Sequence, residues 1–336
     1  MQLLAIDIGY GYTKALTPGQ KPFLVASTVG AEEAIRYESS VISTNGTGIT
    51  VKVDGRWHFV GEQAELQSAS GAQTLDVTRT GSAEQKALFY AAASELITAR
   101  ADKVVIVTGL PVADFEARNK EALAGMLQGR HTVERRGAWT RRFETMKVHT
   151  IPQAMGSLFS LVLDRRGRLV ARDLAQGRVA IIDVGTLTTN FVLVDRLRYV
   201  EVGSDSITTG MSEVFTKVAK DLKREHELDW TKPKDLGRVD RAVRDRALEV
   251  YGDRVSIAGI VNGHIEALAD TIVSKARSLN GWGTGADLKA VVVTGGGSLE
   301  LAPYIRQAYP HTRTVGGDPQ FANVTGYLRV GLRRLG

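Results

Sequence analysis

Residues 4–15 read LAIDIGYGYTKA, and residues 180–191 read AIIDVGTLTTNF. In each, an apolar strand ends on an acid, a glycine follows, and a threonine closes the turn. Superposing the two sets Asp7 on Asp183, Gly9 on Gly185 and Thr13 on Thr189. The copies stand roughly half a chain apart. One turn type used twice implies two similar α/β halves, each opening with a strand–turn–strand.

The rest of the chain fits that pattern, with strands alternating with helices. Residues 2–6 and 12–16 are expected as strands. ITVKVDGRWHFVG (49–61) alternates about Asp54-Gly55, a hairpin signal. AEQKALFYAAASELITAR (83–100) spaces its apolar residues for a helix. KVVIVTGLP (103–111) reads as a buried strand delivering a Gly-Leu-Pro loop, followed by a helix over 113–128. IPQAMGSLFSLVLD (151–164) reads as a helix with Pro152 near its first turn. Three strands are expected across 179–203, then a helix over 211–226 entered through Thr208-Thr209-Gly210. Residues 234–250 read as a charged surface helix and 258–279 as a long amphipathic one. Residues 289–309 read strand, triple-glycine turn, helix, and the stretch from Asp318 reads as a last helix.

With 336 residues, 43% of them apolar, two domains with sizeable cores are expected. No apolar run reaches the ~18 residues of a membrane span. The N-terminus MQLLAIDIGY lacks a basic segment and carries Asp7, so no secretion signal is expected. The absence of cysteine excludes disulfides, thiolate metal sites and cysteine nucleophiles, and fits a cytoplasmic location. Six scattered histidines and no HExxH argue against a protein-held zinc site. The net charge of +6 is small beside 43 basic and 37 acidic residues. The densest basic run, GRHTVERRGAWTRRF (129–143), reads as a solvated β-hairpin, with DNA or an acidic partner as the alternative.

The repeated turn suits a nucleotide polyphosphate with Mg²⁺. Glycine lets backbone N–H groups approach phosphate closely and tolerates positive φ; Gly9, Gly11 and Gly185 are the candidates. Asp7 and Asp183, at strand ends, can hold Mg²⁺ through its retained waters. Thr13, Thr186, Thr188 and Thr189 offer hydroxyls, and Lys14 a cation for the phosphates. VVVTGGGSLE (291–300) brings Gly295, Gly296 and Gly297 from a strand into a helix, leaving room for an adenosine. Ser298 is the expected N-cap of that helix. Neither a P-loop nor a GxGxxG fingerprint occurs.

These blocks together resemble the superfamily of actin, sugar kinases and heat-shock ATPases. IDIGYGYTK (6–14) is similar to its first phosphate block, IPQAMGSL (151–158) to its first connecting helix, and IDVGTLTTN (182–190) to its second phosphate block. VVTGGGSL (292–299) is similar to its adenosine block and QFANVTGYLRVG (320–331) to its last connecting helix. The strongest resemblance is to prokaryotic plasmid-segregation actins (ParM/StbA type), with archaeal actin-like proteins nearby. It implies an α/β, actin-like, ribonuclease H-like duplicated fold of two domains with nucleotide in the interdomain cleft. Residues 1–160 would form domain I and 161–336 domain II, with helix 318–334 packing back on domain I.

The resemblance also implies residue roles. Asp7 and Asp183 would hold Mg²⁺ through water. Gly9, Tyr10, Gly11, Tyr12 and Thr13, and Gly185, Thr186, Leu187 and Thr188, would wrap the phosphates with Lys14 beside them. Gln153 would position the attacking water, with Asp183 and Asn190 in the same catalytic group; relatives carry Asp, Glu or His at Asn190. Gly210 would sit by the ribose or purine, with Lys217 or Lys220 reaching the base. The adenosine would lie on Gly295, Gly296, Gly297 and Ser298. The implied function is a cytoplasmic, filament-forming ATPase that binds ATP/ADP (or GTP) and Mg²⁺, hydrolyses slowly, and moves plasmid DNA through a DNA-binding adaptor. The chain itself would need no direct nucleic-acid contact and no membrane. Two alternatives stay open: a small-molecule kinase using Asp76, Asp102 or Asp114, and a non-hydrolysing scaffold clamped by nucleotide.

Overall fold

The computed structural model describes residues 1–32, 48–68, 72–73, 80–115, 117–232 and 235–335. The chain opens with the hairpin β1 (Gln2–Ile8) and β2 (Tyr12–Leu16), continued by β3 (Phe23–Ala26). Strands β4 (Thr28–Ala31), β5 (Ile49–Val53), β6 (Arg56–Val60) and β7 (Ala72–Gln73) make a separate small sheet, with α1 (Glu62–Gln67) beside it. Then come α2 (Ala83–Leu96), β8 (Lys103–Leu110), α3 (Ala117–Leu127), β9 (Gly129–Val133) and β10 (Arg141–Pro152). Helices α4 (Met155–Val162) and α5 (Arg172–Gln176) lead to β11 (Arg178–Val184), β12 (Thr189–Asp195) and β13 (Arg198–Ile207). Next are α6 (Met211–His226), α7 (Leu236–Asp245), the hairpin β14 (Ala247–Val250) and β15 (Asp253–Ser256), and α8 (Ala258–Ser278). The chain closes with β16 (Ala290–Thr294), α9 (Ser298–Ala308), β17 (Thr312–Thr314) and α10 (Ala322–Leu335).

Two main sheets share one plan. The first runs β3-β2-β1-β8-β10-β9 and the second β13-β12-β11-β16-β17. In each, the opening hairpin is antiparallel and its first strand pairs in parallel with a later one. The registers correspond: Asp7 faces Lys14 and Ile8 faces Thr13, as Asp183 faces Asn190 and Val184 faces Thr189. The repeat read from the sequence is thus a repeat of topology.

The opening strands are continuously apolar because both their faces are covered. Leu4 and Ile6 enter the core under α2, while Leu3 and Ala5 enter the core under α10. In β11, Ala180 and Ile182 join the core with α6 and α8, and Val179 and Ile181 join the core with α4. Helices α4 and α10 therefore lie between the two sheets and cross each other. Glycine allows that crossing: a Cβ on Gly326 would collide with the Gly156 carbonyl.

Three sequence expectations change here. Residues 151 and 152 are strand, not helix: β10 pairs with β8 out to Pro152–Leu110, and α4 starts only at Met155. By that point β10 has left β9, so the missing Pro152 N–H costs no ladder bond on that edge. The helix expected over 234–250 ends at Asp245, where Arg246 takes a left-handed φ of 53°. The chain then enters the β14–β15 hairpin, whose turn, Tyr251-Gly252, is left-handed at both residues, the geometry that suits strand twist. That helix is also not wholly a surface one, since Val239, Asp240, Ala242 and Val243 are buried. The basic run 129–143 does form an antiparallel pair, β9 with β10, and its Trp139 is 83% exposed.

Candidate functional site: a cleft between two matched hairpins

Both hairpin turns open on one cavity. Asp7, Gly9 and Lys14 from the first copy line it, with Asp183, Gly185 and Thr188 from the second. The turns are closed by the same bond in each copy. Gly9 N–H donates to Tyr12 O at 3.2 Å, and Gly185 N–H donates to Thr188 O at 2.9 Å. Neither glycine has a positive φ. Their requirement is space: a Cβ would stand 2.8 Å from Tyr12 O at Gly9 and 3.1 Å from Thr188 O at Gly185. The two turns also touch each other, because a Cβ on Gly11 would strike the Thr186 side chain.

The two acids are individually held. Asp7 Oδ1 accepts from Gln153 Nε2 at 2.8 Å, and Lys14 Nζ lies 3.3 Å from Oδ2. Asp183 Oδ2 accepts from Asn323 Nδ2 at 2.8 Å. Burial pushes the Asp183 carboxyl up to about 6, and the nearby Asp7 adds to the rise, while the Asn323 bond and Lys14 oppose it. The Tyr327 hydroxyl, donating to Gln153 O at 3.1 Å, is held far above its ordinary value by burial and by both acids. Asn323 Oδ1 in turn accepts from Ser157 N–H at 3.1 Å and Ser157 Oγ at 2.7 Å. The crossing helices α4 and α10 thus orient the cleft acids.

A divalent cation fits this donor set. Two carboxylates face one cavity, and among the described residues no cluster of three or more His, Cys, Asp or Glu is assembled to strip a metal of its water. That suits Mg²⁺, which keeps several waters, better than a metal caged by protein.

Several expected residues stand elsewhere. Thr13 and Thr189 do not line the cavity: strand alternation turns Thr13 Oγ1 onto Ser27 Oγ at 2.9 Å, and Thr189 Oγ1 donates to Thr209 O at 2.7 Å. Leu187 is also outside the lining. Gly210 backs the second turn rather than facing the cavity; its Cβ position is 2.7 Å from the Gly185 and Thr186 carbonyls. Next to it, Met211 N–H donates to Gly185 O at 3.1 Å and Ser212 N–H to Thr186 O at 2.8 Å. Lys217 pairs with Glu213 at 2.7 Å and, like Lys220, does not reach the cavity. Of the three glycines, Gly295 and Gly296 line it, while Gly297 packs on Met211 and Val184. Gly295 alone of them is left-handed, with φ 86°, and its Cβ would sit 2.5 Å from Asp183 Oδ1. Ser298 is not the N-cap. Gly297 holds that position, and Ser298 is the first helical residue, its buried Oγ without a partner.

Gln153 and Asn190 both line the cavity. Asn190 Oδ1 is engaged by Val112 N–H and Ser206 Oγ, each at 3.0 Å, so it ties the Gly-Leu-Pro loop of the first sheet to the second. Tyr10, Tyr12 and Thr186 line the cavity as well. Of the acids weighed for a kinase, Asp114 lines it, Asp102 does not, and Asp76 lies outside the described residues. Residues missed from sequence are Arg244, Gln320, Asn323, Met211 and Phe215, all lining the cavity. Asn323 had a signal, its place in the QFANVTG block; Arg244 sat in a stretch read as solvated.

The comparisons with known proteins agree with this geometry. Residues 5–156 match the model for the N-terminal domain of actin-like proteins, and residues 181–307 the C-terminal model of the archaeal actin homologue, MreB-like. No curated protein sequence matches the chain. Among solved structures, the archaeal actin homologue Ta0583 superposes with a TM-score of 0.82 at 22% identity, covering 99% of this chain and 100% of its own. The same homologue in complex with ADP gives 0.79 at 21% identity, covering 99% and 100%. A 15-stranded ParM filament from Clostridium botulinum gives 0.81 at 22% identity, covering 99% of each chain. Two family models in order along the chain, a duplicated sheet plan and a cleft between matched hairpins all agree: this chain belongs to the actin-like family.

Proposed function

We propose that the chain binds a nucleoside triphosphate with Mg²⁺ in the cleft, hydrolyses it slowly, and polymerises in a nucleotide-dependent way. One observation carries this: Asp7 and Asp183, at equivalent positions of two duplicated hairpins, face one cavity. The N–H groups of the turns Gly9–Thr13 and Gly185–Thr188 would take the phosphates, with Lys14 offsetting their charge. Asp7 and Asp183 would hold Mg²⁺, which supplies charge neutralisation at the phosphates. Gln153, anchored to Asp7, would orient a water; an amide orients water without being a good base, in keeping with slow turnover. Asn190 fits a tether between the halves more closely than a base. The nucleoside would lie toward Gly295 and Gly296.

The filament reading is supported by the ParM filament among the structural neighbours and the nucleotide reading by the ADP complex of the archaeal homologue. Two domains, 1–160 and 161–336, whose relative angle is set by nucleotide, would stack head to tail in an open filament. Movement of plasmid DNA through a DNA-binding adaptor is the cargo we assign to it. Sedimentation with ATP or GTP, with phosphate release followed in parallel, tests this. Polymer and slow release are expected for the native chain and loss of release for Asp183→Ala; no polymer at any salt, with no bound nucleotide, would refute it. A small-molecule kinase is the second reading, favoured by Asp114 lining the same cavity. A phosphotransfer screen against sugars and acetate separates the two.

A further inference from the structure

Helix α7 carries two charged residues that the nucleotide reading leaves unused. Asp240 is buried. Its Oδ2 accepts from the Tyr12 hydroxyl at 2.9 Å, and its Oδ1 accepts from Arg244 Nε at 2.8 Å. Tyr12 belongs to the first phosphate turn, whereas Asp240 and Arg244 belong to the other half of the molecule. Arg244 lines the main cavity, and it also lines an adjoining recess together with Gly295, Gly296 and Gln320. One carboxylate therefore joins the phosphate end of the cleft to its glycine end.

A second contact holds the same helix from the same side. Glu65 on α1 lies 3.4 Å from where a Cβ on Gly237 would be, in the first turn of α7, and Thr28 Oγ1 donates to Glu65 at 3.0 Å. No N-cap side chain bonds that turn. The first half thus lies against the start of α7 and bonds its buried face through Tyr12. Opening the cleft must break the Tyr12–Asp240 bond, which leaves a buried carboxylate short of a donor.

We propose that Asp240 is a positioning residue that couples the first phosphate turn to Arg244, so that bound nucleotide leaves only when the Tyr12–Asp240 bond breaks. This rests on the nucleotide reading of the cleft. Arg244 contacts the nucleoside side of the ligand, and Asp240 holds it there. The two ends of the cleft then open together rather than separately.

The test is stopped-flow release of a fluorescent ADP from the native chain, Tyr12→Phe, Asp240→Asn and the double variant, with ligand-free urea midpoints measured alongside. Tyr12→Phe removes one hydroxyl and keeps the ring, so it serves where Asp240→Asn folds poorly. Each single variant is expected to speed release by about 10-fold, the worth of one hydrogen bond to a charged group. The double variant is expected to release no faster than the faster single one, because both lose the same bond. Single variants within twofold of native, rates that multiply in the double variant, or lowered urea midpoints with native release rates would each overturn the coupling while leaving nucleotide binding intact. A native chain that retains no labelled ADP overturns the underlying nucleotide reading instead, and the coupling with it.

Discussion

Asp183 is buried among apolar strand residues, and its neighbourhood favours the neutral acid in the absence of a cation. Its pKa rises from 3.8 to about 6 on folding. Between those values the folded chain binds more protons than the unfolded one, so stability falls as pH rises through that window and stays lower above it. At about 1.4 kcal/mol per unit, the cost at neutral pH is at most about 3 kcal/mol. Asp183→Asn keeps an acceptor for Asn323 and removes the charge. In EDTA it is expected to be about 1–3 kcal/mol more stable than the native chain at pH 7.5. At pH 4 the two should be nearly equal, as read from urea titrations; equal stability at both pH values would contradict the burial argument. Gly11 makes a sharper steric point, since its Cβ would fall 2.9 Å from Thr186 Cβ. Gly11→Ala is expected to push the turns apart and weaken nucleotide binding by about 10-fold or more, with Thr186→Gly in the same chain restoring part of the loss. Isothermal titration of the native chain and these two variants checks this.

At the scale of elements, the crossing of α4 and α10 is where packing meets chemistry. The same two helices present Asn323, braced by Ser157, to Asp183, and Tyr327 to the Gln153 carbonyl. Gly326→Ala forces a methyl into the Gly156 carbonyl, and separation of the helices is expected to cost about 2 kcal/mol or more and to lower Asp183-dependent nucleotide affinity. Denaturant midpoints and titration together would show both losses. The opening strands and their turns were legible in sequence because each is a continuous apolar run stopped by an acid and a glycine, and both faces of those strands are buried. Asp7, Gly9, Asp183 and Gly185 came from that pattern. Which threonine faces the cavity did not, because a one-residue alternation decides it, and Thr13 falls on the far side. Pro152 read as a helix start because sequence alone does not show that β10 runs alongside β8. The inner face of α7 was hidden for a different reason. Tyr12, the partner that makes Asp240 more than a solvated charge, is 228 residues away in the chain.

On the scale of the whole molecule, two sheets of one plan meet across a cleft, with crossing helices at its floor and α7 held across it by Tyr12. Among the described residues no helix is long and apolar enough to cross a membrane. On the proposed reading, a ligand that touches both halves would set the angle between them. Filament formation would then respond to nucleotide because the angle does. The claim beneath all of this is that a single phosphate–metal unit is gripped from both sides. Isothermal titration of MgATP into the native chain, Asp7→Ala and Asp183→Ala tests it most directly. One nucleotide per chain is expected, dependent on Mg²⁺, with either substitution alone lowering affinity by about 10-fold or more, the scale of a lost charge-assisted contact. Native-like, Mg²⁺-dependent binding in either variant would contradict a shared site.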